Sequence, residues 1–101
     1  MELFDIKVDF KGKRRVLGGF VDCNLTQMFT EVKEDIFVSA LESSINTLGN
    51  SGYDIRFISV AALRRELAWY FKMANHEDKY KTLLKQESNG SEIHIQVRKV
   101  K

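Results

Sequence analysis

The sequence predicts an α+β domain: a mainly antiparallel sheet with two helices packed on one face, in the order β-β-α-β-α-β-β. Three observations point there. From Leu3 to Phe10 the residues alternate, with Phe4, Ile6, Val8 and Phe10 on one side and Asp5, Lys7 and Asp9 on the other, the period of a half-buried strand. Phe37, Leu41, Ile45 and Leu48 recur at steps of four, four and three, which lines one face of a helix. A turn signal, Ser88-Asn89-Gly90-Ser91, precedes the alternating Ile93, Ile95 and Val97 of a closing strand.

Each element follows in turn. After the first strand, Lys11-Gly12-Lys13 reads as a turn, and Arg15 to Cys23 as a returning strand in which Gly18-Gly19 marks a bulge or a close backbone approach. The first helix spans Val32 to Leu48, with Thr30 as its N-cap, Glu31 and Glu34 at the positive end of its dipole and Gly49 after it. Tyr53, Ile55 and Phe57 alternate with Asp54 and Arg56 as a short third strand. Ser59 caps a second helix reaching about Asn75, whose core stripe is Val60, Leu63, Leu67, Tyr70, Phe71 and Ala74. Tyr80 to Gln86 fits either a continuing helix or a strand, and the turn signal after it favours a strand that closes the sheet as a hairpin with Glu92 to Val100. Asp5, Lys7, Asp9, His94, Gln96 and Arg98 fall on the open face.

A chain of 101 residues with 44% hydrophobic and 30% charged side chains has the size and composition of one folded domain, residues 1–101, without a linker or repeat. Sixteen basic against fourteen acidic residues leave a net charge of +2. The pI near 8.7 lies below the value of about 9 that marks a dedicated nucleic-acid domain. One cysteine, Cys23, forms no disulfide within the chain, and the acidic opening Met1-Glu2-Leu3-Phe4-Asp5 lacks the layout of a signal peptide. No apolar run is long enough for a membrane span, so the expected location is the cytoplasm.

Catalysis is not expected. Cys23 with His94 is the one nucleophile and base pair worth naming, and it lacks a third orienting residue. Cys23, His76 and His94 do not have zinc spacing, and His76-Glu77-Asp78 reads as a solvated helix end. The glycines of Lys11 to Gly19 are not ordered as a phosphate-binding loop. No catalytic residue, cofactor, metal or small-molecule substrate is therefore assigned.

Two surfaces remain for function. On a helical wheel Trp69 and Met73 lie opposite the core stripe of the second helix, near Ala62 and beside Arg65 and Glu66, and a Trp and Met pair is enriched in interfaces. The leading expectation is a small non-enzymatic regulatory or interaction protein, a homodimer or an adaptor docking through Trp69, Met73, Ala62 and Arg65. The alternative is nucleic-acid binding by Lys11, Lys13, Arg14 and Arg15, joined by Arg98, Lys99 and Lys101 if strand order brings the two clusters together.

Overall fold

The strand that opens at Leu3 runs straight through Lys11-Gly12-Lys13 and ends only at Val16. The computed structural model describes residues 2–55, 58–73, 76–88 and 90–100. Its elements are β1 (Leu3–Val16), β2 (Gly19–Lys33), α1 (Glu34–Asn50), α2 (Val60–Lys72), β3 (Lys81–Ser88) and β4 (Ser91–Lys99). The four strands form one sheet in the order β2-β1-β4-β3, each neighbouring pair antiparallel. An α+β architecture is thus present, with element order β-β-α-α-β-β in place of the predicted β-β-α-β-α-β-β.

The first hairpin turns at Leu17-Gly18, between paired Val16 and Gly19. Gly18 and Gly19 adopt φ of +94° and +147°, a region open to glycine, so the adjacent glycines make the turn and not a bulge. Gly12 serves close packing: a Cβ there would lie 2.5 Å from Ser91 Oγ, where β1 passes the start of β4. A bulge does occur further on, opposite Asp5, where Glu31 takes φ of +54° and its N–H donates to Asp5 Oδ1 at 3.0 Å.

Because β2 continues to Lys33, Thr30 lies in a strand and does not cap α1. The helix starts at Glu34 without a side-chain cap, and Glu34 and Asp35 supply the negative charge of its first turn. Val32, expected in the helix, packs on the core from β2. Ser59 does cap α2, its hydroxyl accepting from the Ala62 N–H at 3.1 Å. That helix ends at Lys72, short of the expected Asn75; Ala74 and Asn75 lie outside the described residues.

Among the described residues, the predicted third strand is represented by one bridge, Tyr53 opposite Arg14. The reason is space: β4 leaves β1 at the Lys11–Glu92 pair, so the chain after α1 finds a free edge only at Lys13 to Arg15. The Ile58 N–H donates to the Ile55 C=O at 3.0 Å, and Arg56 and Phe57 lie outside the described residues. The closing hairpin is formed by β3 and β4, with a register shift between Thr82 and Leu84.

One core cluster joins Phe4, Ile6, Val8, Ile93, Ile95 and Val97 of the sheet to Phe37, Leu41, Ile45 and Leu48 of α1 and Leu63, Leu67 and Tyr70 of α2. Val60, placed in the stripe by spacing, is 42% exposed at the first turn of α2. Tyr70 is buried, and burial, with the Glu2 carboxylate second, pushes its phenol up to about 12. A folded-state value above the unfolded value of about 10 means that stability is whole below pH ~10 and falls as pH rises toward ~12. Tyr70→Phe is therefore expected to flatten the loss of stability in this window, measured by denaturant melts at each pH; an unchanged alkaline profile would contradict it.

Candidate functional site

Beyond the Lys11–Glu92 pair, β1 and β2 continue as a two-stranded ribbon to the Leu17-Gly18 turn. At about 3.3 Å per residue, Gly12 to Val16 carries the ribbon roughly 16 Å past the end of β4. This arm accounts for the elongated shape of 48 × 21 × 21 Å. Its β1 edge is braced as far as Arg15: Arg15 N–H donates to Gly52 C=O at 2.6 Å, Asp54 N–H to Lys13 C=O at 2.9 Å and Arg14 Nε to Ser51 C=O at 3.0 Å. The Arg14 guanidinium also sits 5.3 Å over the Tyr53 ring, which meets Phe10 edge-on.

Alternation along β1 sorts the basic side chains. Lys11, Lys13 and Arg15 share the open face with Lys7 and Asp9, whereas Arg14 lies on the helix-facing side and is used in the brace. Residues two apart on a strand stand about 6.6 Å apart, so Lys11, Lys13 and Arg15 form a row. All three are exposed and have no ion pair among the described residues, while Lys7, Arg64, Lys85, Arg98 and Lys99 each have one. Directly opposite Arg15 on β2 is Phe20, 57% exposed. Leu17 is fully exposed at the turn, flanked by exposed Val16 and Val21.

The carboxyl-terminal basic residues are elsewhere. Arg98 and Lys99 pair with Asp5 and Phe4 at the other end of β1 from the arm, so the two clusters do not meet. Arg98 donates to Asp5 Oδ2 from Nε at 3.0 Å and from Nη2 at 2.9 Å, and lies 4.7 Å over the Tyr80 ring. The Asp5 hydrogen bond is the main cause that raises the guanidinium pKa further. Asp5, expected on an open face, is only 5% exposed because Arg98 and the Glu31 N–H close over it. Lys99 reaches Glu2 at 3.1 Å; Lys101 lies outside the described residues.

On α2, Trp69 is 66% exposed and Arg65 is exposed, with Ala62 half-buried. Met73 does not join them. The helix has ended, the Met73 backbone is extended, and the residue packs against the core. Met73 lies past the last turn of α2, so it shares no helix face with Trp69.

The nucleophile and base pair is also separated. Cys23 pairs with Gly12 on the helix-facing side of the sheet, and His94 with Asp9 on the open side. His94 Nε2 and Thr82 Oγ1 are hydrogen-bonded at 2.7 Å, while Asp9 accepts from the Thr26 hydroxyl at 2.6 Å. His76 stacks on Tyr70 with ring centroids 4.5 Å apart and donates from Nε2 to the Tyr70 carbonyl at 2.8 Å, a structural role. No group of three or more His, Cys, Asp or Glu able to hold a metal occurs among the described residues, and no helix among them is long and apolar enough to cross a membrane.

Fold and surface together define an α+β domain that carries a basic, apolar-tipped β-ribbon. Compared with known proteins, no family model matches the chain, and neither a curated protein nor a solved structure matches it.

Proposed function

We propose that this chain is a non-enzymatic nucleic-acid-binding protein whose β1–β2 arm lies along a phosphate backbone. The observation that carries this reading is the row Lys11, Lys13 and Arg15 on one face of a projecting ribbon, without ion pairs among the described residues and ending beside exposed Phe20. Lysine and arginine bind phosphate without reading sequence. Phe20 offers an aromatic face to an unpaired base, which favours single strands over duplex.

Reversing Lys11, Lys13 and Arg15 to glutamate is expected to abolish retention on single-stranded DNA or RNA at about 50 mM salt. Replacing the three by alanine is expected to reduce the slope of log affinity against log salt by about 0.9 per lost contact for duplex and about 0.7 for single strands. Phe20→Ala is expected to weaken single-strand binding by about 1–3 kcal/mol. Wild-type protein that fails to bind any nucleic acid at low salt overturns the reading. A protein partner docking on the Trp69 face is the second reading, favoured by the exposed indole. On the first reading Trp69→Ala leaves nucleic-acid binding unchanged, so a strong loss with this variant transfers the function to α2.

A further inference from the structure

We infer that β2 is an interface between two copies of this chain, paired antiparallel through its free edge about Thr26. The two edges of the sheet differ. Edge strand β3 carries Lys81, Lys85 and Glu87 and a register irregularity, the usual protection against pairing with another chain. Edge strand β2 is almost twice as long, and Cys23 to Thr30 contains no charged residue and no proline. An uncharged edge of this kind is a template for another strand.

The direction of the free backbone groups follows from the brace of the arm. Arg15 N–H and Lys13 C=O point away from β2, toward Gly52 and Asp54. In an antiparallel ladder the residues that bond one neighbour alternate with those that face the other. Lys13 and Arg15 are opposite Asp22 and Phe20, so the N–H and C=O groups of Phe20, Asp22, Asn24, Thr26 and Met28 point outward from the sheet. These five residues are exposed, and among the described residues no backbone hydrogen bond from another element reaches them.

Their spacing fits a twofold axis. Thr26 is the midpoint of β2, Gly19 to Lys33. Antiparallel pairing about it sets Thr26 against its copy and Asn24 against Met28 as mutually hydrogen-bonded pairs, and brings Asp22 opposite Thr30, with no like charges opposed. Opposed residues keep the same face, so the two four-stranded sheets become one continuous sheet with both basic rows on its open side. The occupant is a second copy because the register is self-complementary over this whole stretch. This inference does not rest on the nucleic-acid reading and is tested without nucleic acid.

Asn24 and Met28 are exposed on the open face, so changing them leaves the monomer core intact. The wild type is expected to show a dimer mass by analytical ultracentrifugation at micromolar concentration. The double variant Asn24→Lys with Met28→Lys opposes lysines twice and is expected to raise the dimer dissociation constant roughly tenfold or more. Asn24→Lys with Met28→Glu opposes lysine to glutamate twice and is expected to keep the dimer. Circular dichroism of each variant checks that the fold is unchanged. A wild type that stays monomeric at every concentration overturns the inference. So does a dimer indifferent to the lysine pair, or one broken equally by both variants.

Discussion

Ile95→Asp is expected to remove about 3–5 kcal/mol of stability, a large share of the roughly 5–15 kcal/mol available to a domain of this size. Ile95 is fully buried in the centre of the sheet, between Val8 of β1 and Leu84 of β3. A carboxylate there has neither a cation nor a donor within the apolar cluster, so it must stay charged and unsolvated or take up a proton. His94→Asp, one residue earlier, places the same group on the open face opposite Asp9 and Lys85 and is expected to change stability by less than about 1 kcal/mol. Urea denaturation of the two variants decides the point. Equal damage from both would show that β4 does not present alternate faces as observed.

Phe4→Ala is expected to cost a similar amount, about 3–5 kcal/mol, through lost contacts and the cavity left behind. Phe4 is fully buried, and its ring is met edge-on by Phe37 at 5.8 Å, Tyr70 at 5.8 Å, Phe71 at 5.6 Å and His76 at 5.6 Å. The side chain therefore ties β1 to both helices and to the segment after α2 at one point. Phe20→Ala removes a ring of the same size from the exposed arm and is expected to leave the melting temperature nearly unchanged. A loss from Phe20→Ala comparable to that from Phe4→Ala would mean that the arm is folded back against the body.

The arm explains why the basic residues could be found in the sequence but not sorted. Their clustering between Lys11 and Arg15 is visible in the sequence itself, and so is the apolar pair on each side of Gly18-Gly19. With the turn placed at Gly12, however, the lysines become a loop and the apolar residues a core strand. Gly12 and Gly18 are the same residue type in opposite roles: one admits Ser91 across the sheet, the other permits the positive φ of a turn. Only the neighbours of each glycine distinguish these, and neighbours are tertiary information.

Elements whose signal is local and periodic are legible in the residues alone. The alternation that buries Phe4 to Phe10, the helical spacing that buries Phe37 to Leu48, the Ser59 cap and the turn before β4 all act over a few residues, where sterics and burial leave one solution. Tertiary structure decided where each element stopped and what it faced. Gaining a ladder partner kept β2 extended past Thr30, at the expense of the first turn of the predicted helix. The early exit of β4 from β1 left the segment after α1 one bridge to the sheet among the described residues, at Tyr53. Strand order then put Arg98 beside Asp5, far from Lys11, and left β2 on the edge. Pairing between distant strands depends on which backbone edges are still free when they meet, and no short stretch of sequence encodes that.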